Sequence, residues 1–168
     1  MVKAIKFLIP PLAILVLFLL NRLLTPLGWL VDLPLAAVIF LNLNRLPGRW
    51  SAFITAGILL DLAFGSPGVF LLVLLLVCGT LHLLTAELSL SHQLARIFLI
   101  LGSVGGYWLL LFLISRLFGW IAQEPAYALL LKMSVWQATV YILLNTLIIV
   151  VAGQFFYQSK KGKYVEIS

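Results

Sequence analysis

The chain has 168 residues, of which 64% are hydrophobic and 10% charged, and its mean hydropathy is +1.19. These values exclude a water-soluble globular domain and predict an integral membrane protein. The net charge of +6 does not indicate nucleic-acid binding, because the basic residues lie mostly between hydrophobic runs rather than in a stripe with interleaved aromatic residues.

The hydrophobic runs predict six spans within a single transmembrane domain, residues 1–168. The spans cover about 6–22, 33–46, 50–64, 67–86, 97–118 and 135–157. The first run resembles a signal peptide, but it lacks a small-residue cleavage site, so we expect it to remain as an anchor. Pro10 and Pro11 predict a kink or a delayed start of its helix. Asp32 is the predicted N-cap of the second span.

The second and third spans are short. About fifteen residues form ~22 Å of helix, whereas the hydrocarbon core is ~30 Å thick. We therefore expect local thinning of the membrane, or shielding of these spans by longer neighbours. In the fifth span, Gly102 and Gly106 form a GxxxG pair that permits close approach of another helix. Residues 126–133 are predicted to form an interfacial turn, since one helix from there to Tyr157 would exceed the bilayer.

Six spans place both termini on one side of the membrane. That side carries most of the basic residues: Lys3, Lys6, Arg45, Arg49, Arg96, Lys160, Lys161 and Lys163. The opposite side carries Arg22, Arg116 and Lys132. This asymmetry predicts a multi-pass membrane protein with both termini in the cytoplasm.

One carboxylate, Asp61, lies inside the apolar run 57–68. A charged side chain within the bilayer costs at least a few kcal/mol unless a cation, water or the interface relieves it. The predicted topology places Asp61 near the outer end of the third span, where Arg116 is the preferred cation and Arg22 a second candidate. In the alternative, backbone amides of the turn at 65–68 donate hydrogen bonds to this carboxylate.

Three glycines surround Asp61. Gly57 removes bulk one helical turn before the carboxylate, and Gly65 and Gly68 permit backbone angles that larger residues avoid. We therefore predict a tight membrane hairpin with a buried polar anchor. Direct contact of this segment with a partner protein or a ligand is the alternative.

The polar residues provide little for catalysis. A membrane hydrolase usually carries paired carboxylates, a HExxH pair, or a nucleophile with a base at similar depth. Asp32 and Asp61 could share the outer side, and they form the best enzyme alternative. His82, Glu87 and His92 are each five residues apart, which scatters them around a helix, so no metal site is predicted. We expect no enzyme activity and no cofactor, and interpret His82 as a polar residue at a helix interface.

A family resemblance rests on the segment GILLDLAFGSPGVFLL, together with the chain length, the six spans and the short second span that ends in a basic turn. The chain resembles MreD, the family of bacterial rod shape-determining membrane proteins. The residues that carry the resemblance most specifically are Gly57, Asp61, Leu62, Gly65 and Gly68. It implies an all-α polytopic bundle similar to the substrate-binding subunits of energy-coupling-factor vitamin transporters.

The resemblance also implies a function. It points to a non-enzymatic component of the cell-elongation machinery that binds the bitopic protein MreC and influences the RodA glycosyltransferase and its penicillin-binding transpeptidase in peptidoglycan synthesis. The alternative is the substrate-binding subunit of a small-molecule transporter. Its cavity would recruit Asp32, Asp61, Trp29 and Trp108, but polar residues are sparse near the outer ends of the spans.

Overall fold

The computed structural model describes residues 2–23, 31–66, 68–87, 93–122 and 134–165, with side chains within 7–23, 31–66, 68–86, 93–114, 116–117 and 134–156. Over these residues the fold is all-α and contains six helices. They are α1 (Val2–Leu23), α2 (Leu33–Leu43), α3 (Arg49–Phe64), α4 (Val69–Glu87), α5 (Gln93–Ala122) and α6 (Val135–Val165). The predicted interfacial turn at 126–133 lies outside the described residues.

Three of the helices are long and apolar enough to cross a membrane. The segments that meet this condition are Val69–Ala86, Gln93–Ile114 and Val135–Phe156. Phe7–Leu23 and Leu33–Leu43 are shorter apolar helices. Many large apolar side chains on the outside of the bundle are exposed, including Leu83, Phe98 and Phe155, as is normal where lipid rather than water covers a helix.

Helix α2 is only 11 residues long and lies at the centre of the bundle, in contact with all five other helices. Leu35, Val38 and Ile39 are completely buried. This burial confirms that longer neighbours shield the short helix α2. The helix ends earlier than predicted, because Arg45 adopts a positive φ of 50° and the chain then turns through Gly48, whose φ is 77°.

Helix α1 continues through both of its prolines and begins at Val2, so the predicted delay was wrong. Pro11 has no N–H to donate to the carbonyl of Phe7, four residues earlier. The Ser51 hydroxyl lies 3.3 Å from that carbonyl oxygen and 2.8 Å from the oxygen of Gly48. The proline thus leaves an acceptor at which α3 contacts α1.

Candidate functional site at the Asp61 hairpin

The half-buried carboxylate of Asp61 caps the neighbouring helix. It accepts hydrogen bonds from the Ser66 hydroxyl at 2.7 Å, from the Phe70 N–H at 2.9 Å and from the Leu71 N–H at 3.2 Å. The last two groups belong to the first turn of α4, where backbone N–H groups have no partner within their own helix. A negative charge there is also favoured by the helix dipole. Asp61 of α3 therefore fixes the start of α4.

The turn between the two helices depends on its glycines for backbone conformation. Gly65 ends α3 with φ 66°, and Gly68 precedes α4 with φ 81°. Both values lie in the left-handed region that disfavours residues with a Cβ atom. The Ser66 N–H donates to the backbone carbonyl of Asp61 at 3.0 Å, so both the main chain and the side chain of Asp61 hold the turn.

Gly57 allows the two helices to touch. A Cβ atom at Gly57 would lie 2.7 Å from Cδ1 of Leu71 and 2.8 Å from its Cα. The second distance involves backbone, which cannot be relieved by a change of rotamer. Leu71 therefore lies against Gly57 while it donates its N–H to Asp61, one helical turn away, and the two residues together set the register of α3 against α4.

The prediction that Arg116 is the cation beside Asp61 was wrong. The Arg116 guanidinium lies over the ring of Phe112, 5.8 Å from its centroid, whereas the hydrogen bonds of Asp61 described here come from the hairpin itself. The alternative, amides of the turn at 65–68, was right about the kind of donor but not about its position, because the amides that bind the carboxylate are those of Phe70 and Leu71 in α4. Spacing along the chain could not reveal this, because the amides become available only when α4 begins directly opposite α3.

Arg22, the second candidate cation, lies at the same end of the bundle as the hairpin. Its guanidinium donates to the carbonyl of Ala63 at 3.4 Å. It also lies 5.4 Å from the ring centroids of both Phe18 and Phe64. Arg22 thereby joins the ends of α1 and α3, next to the hairpin.

The GxxxG pair makes no close helix contact within the described part of the chain. No atom lies within 4 Å of a Cβ placed on Gly102 or Gly106. Gly105 is nearer a neighbour, since its Cβ position is 3.9 Å from Cδ1 of Ile142 on α6. The expectation of close approach at Gly102 and Gly106 is therefore not met among the described residues, where the close approach occurs at Gly57 instead.

A second polar cluster lies around Asp32, which is the N-cap of α2 as predicted. Its Oδ1 accepts from the Leu35 N–H at 2.9 Å, and its Oδ2 accepts from the Tyr141 hydroxyl at 3.3 Å. The Asp32 N–H donates to Oδ1 of Asn145 at 2.8 Å. Removal of water raises the pKa of the Asp32 carboxyl, although the hydrogen bonds from Leu35 and Tyr141 oppose the shift.

Sequence analysis missed Tyr141 and Asn145. Asn145 is fully buried, and its Nδ2 also donates to the carbonyl of Tyr141 at 2.8 Å. The signal was present, because an amide and a phenol four residues apart inside an apolar helix share one face. Such residues in a membrane helix usually contact another helix rather than lipid. Here they join α6 to the start of α2.

Replacing Asn145 by leucine is expected to lower the free energy of unfolding by about 1–2 kcal/mol, because it leaves the partly buried N–H of Asp32 without its acceptor. The measurement is the unfolding midpoint of the purified chain in mild detergent. Thr139→Val is the matched control, since Thr139 is exposed and bonds to Val135 of its own helix. Equal midpoints for Asn145→Leu and the wild type would contradict the assignment.

Tyr107 of α5 lies deep in the bundle. The residue is 1% exposed, and its hydroxyl has no hydrogen-bond partner in the described residues. His82 packs its ring edge-on against Trp50 at 5.8 Å between centroids. This contact joins α4 to α3, as expected of a polar residue at a helix interface.

The described polar groups of the hairpin and the Asp32 cluster hold helices together. Asp61 binds amides of α4, and Asp32 binds α2 and α6 through Leu35, Tyr141 and Asn145. Within the part of the chain that the structure describes, no three His, Cys, Asp or Glu residues are grouped so that they could hold a metal ion. Comparison with protein-family models, curated proteins and solved structures produced no match.

Proposed function

We propose that this chain is a non-enzymatic membrane component of the bacterial cell-elongation machinery, which maintains rod shape by binding an MreC-like bitopic protein and thereby influences peptidoglycan synthesis by a RodA-type glycosyltransferase and its transpeptidase. In this proposal it is a member of the MreD family. It lies in the inner membrane with six spans and both termini in the cytoplasm, as the distribution of basic residues favours.

The observation that carries the proposal is the set of hydrogen bonds that the Asp61 carboxylate accepts. A catalytic carboxylate must reach a substrate, whereas this one accepts a hydroxyl and two amide hydrogen bonds inside its own hairpin. Asp32 is similarly bound, to Leu35 and Tyr141. Carboxylates engaged in this way stabilise a scaffold. A scaffold with exposed apolar helices is suited to assembly with other membrane helices.

The test is co-purification with an MreC-like protein from the same genome, co-expressed at similar levels and extracted in a mild detergent. We expect a stable complex, and we expect no complex with an unrelated single-span protein of similar size. Failure of the MreC-like protein to co-purify, with both proteins folded and present in the membrane, would overturn the proposal.

Two variants locate the interface. Gly102→Ile combined with Gly106→Ile adds bulk where nothing lies within 4 Å, so the fold should tolerate it while a helix packed on this face would be displaced. Gly79→Ile is the control, since its Cβ position is equally open but lies on α4. We expect the double variant to lose the partner and the control to retain it. The opposite pattern would place the interface on α4.

The transporter alternative is favoured by one observation, the unpartnered hydroxyl of Tyr107. A buried phenol whose hydroxyl has no partner in the described residues could contact a small polar ligand. This alternative requires an ATPase and a coupling membrane subunit as partners. Co-purification of those subunits, without an MreC-like protein, would favour it over the proposal.

A further inference from the structure

Three arginines lie at the end of the bundle opposite Asp61. Arg45 follows α2, Arg49 begins α3 and Arg96 lies near the start of α5. We call this region the basic end. In the sequence, Lys3 and Lys6 of α1 add positive charge at the same end, and Glu87 of α4 removes one charge. The two carboxylates whose side chains the structure describes, Asp32 and Asp61, both lie at the other end of α2 and α3.

The arginines belong to one connected set of contacts. The Arg45 guanidinium donates to the backbone carbonyl of Thr85, at the end of α4. Arg96 donates to Oδ1 of Asn44 at 2.8 Å, next to Arg45 in the chain. The Arg49 guanidinium lies 5.7 Å from the ring centroid of Trp50. Trp50 in turn packs on His82 of α4, so these contacts link residues at the same ends of α2, α3, α4 and α5.

Arg49 differs from the other two arginines. Its Nη1 is buried and has no hydrogen-bond partner in the described residues, although the residue as a whole is partly exposed. The same lack of a partner holds for Nδ1 of His82, whose ring packs on Trp50. A buried donor on a charged group is costly to leave unpaired. Helix α3 begins at Arg49, and its N-cap, Gly48, provides no side-chain cap. The first amides of the helix therefore lack an intrahelical acceptor and follow Arg49 in the chain.

The chemistry of these donors points to a phosphate group. Guanidinium N–H groups bind phosphate oxygens in charge-assisted pairs, and free amides at a helix N-terminus bind anions. The source of the phosphate follows from the adjoining surface. Trp50, Ile54 and Ile58 are 43%, 44% and 46% exposed and recur every four residues along α3, so they form an apolar stripe that leads away from Arg49.

We propose that the basic end binds the headgroup phosphate of an anionic phospholipid, with Arg49 as its principal contact and the acyl chains along the Trp50, Ile54 and Ile58 stripe. Basic clusters between membrane helices bind such headgroups in this way. The site is separate from the hairpin of Asp61 and does not depend on the proposed partner.

The test uses the full chain, purified in detergent and depleted of lipid. Phosphatidylglycerol, phosphatidylcholine and inorganic phosphate are added separately, and the apparent affinity is read from thermal protection and from bound lipid in native mass spectrometry. We expect protection by phosphatidylglycerol alone. Equal protection by phosphatidylcholine or by inorganic phosphate would overturn the assignment to an anionic phospholipid.

Variants of Arg49 make the test specific. Arg49→Gln is expected to weaken phosphatidylglycerol binding about fivefold, as loss of one basic contact near the headgroup predicts, and Arg49→Lys should weaken it less because the charge remains. Arg116→Gln is the matched control, since it removes the same charge at the opposite end of α5. Unchanged affinity in Arg49→Gln, or an equal loss in Arg116→Gln, would overturn the proposal. Circular dichroism and elution volume establish that each variant is folded. If Arg49→Gln does not fold, the number of lipids bound to Arg49→Lys tests the site instead.

Discussion

Asp61→Ala is expected to lower the free energy of unfolding by about 3 kcal/mol, because a charged acceptor shared by three donors is lost and each hydrogen bond to a charged group contributes about 1.5–3 kcal/mol before relaxation. The Phe70 and Leu71 amides would be left without their acceptor at the start of a membrane helix, where little water replaces it. The measurement is the unfolding midpoint in mild detergent, together with the fraction of protein that elutes as a single species.

Two milder variants separate the contributions to this cap. Asp61→Asn keeps one oxygen acceptor but loses the charge, so we expect about half of the alanine effect. Ser66→Ala removes the hydroxyl donor at 2.7 Å and leaves both amide bonds intact, so an effect of about 1 kcal/mol is expected. If Asp61→Ala unfolded at the same midpoint as the wild type, the carboxylate would not be the anchor of the hairpin.

Gly57→Ala is expected to destabilise the chain by about 2 kcal/mol, although alanine is the better helix former. The added Cβ would lie 2.8 Å from the Cα of Leu71, so α3 and α4 must separate, and overpacking of this kind costs about 1–3 kcal/mol. The same midpoint measurement applies. Gly79→Ala is the control, because nothing lies within 4 Å of its Cβ position and the gain in helix propensity should stabilise it by up to about 1 kcal/mol.

Gly57 and Asp61 should not act independently, because both contact Leu71. When α3 and α4 separate in Gly57→Ala, the Leu71 N–H also moves away from the Asp61 carboxylate. The double variant should therefore lose less than the sum of the single losses, by about 0.5 kcal/mol or more. Strict additivity would show that the two residues stabilise the hairpin separately.

Some features of the hairpin could be predicted from the sequence alone. Because a charge in an apolar run is unfavourable in free energy, Asp61 was identified as an anchor. The glycines around it predicted a turn with unusual backbone angles, which Gly65 and Gly68 adopt. The partner could not be predicted. A search for a cation along the sequence led to Arg116, whereas the observed donors are the Ser66 hydroxyl and two main-chain N–H groups. Every residue except proline carries a main-chain N–H, so no residue type can signal such a donor.

The spacing of the glycines did not predict which of them lies at a helix contact. Gly57 and the pair Gly102 and Gly106 are equally small, and the GxxxG spacing favoured the pair. In the structure Gly57 meets Leu71, and the positions of the pair are open within the described chain. Likewise, Tyr141 and Asn145 were overlooked because their importance comes from Asp32, more than a hundred residues earlier in the chain.

The sequence by itself determined the class of protein, the approximate position of most helices, the N-cap at Asp32 and the importance of Asp61. Tertiary structure alone decided which helices adjoin, and therefore which polar groups meet. The physical reason lies in the solvent. In water, an apolar face must turn towards the core, so periodicity reveals it, but lipid is as apolar as the protein interior. A membrane helix can therefore be apolar all round, and only contact distinguishes Gly57, which packs on Leu71, from Gly102, which makes no such contact with the described residues.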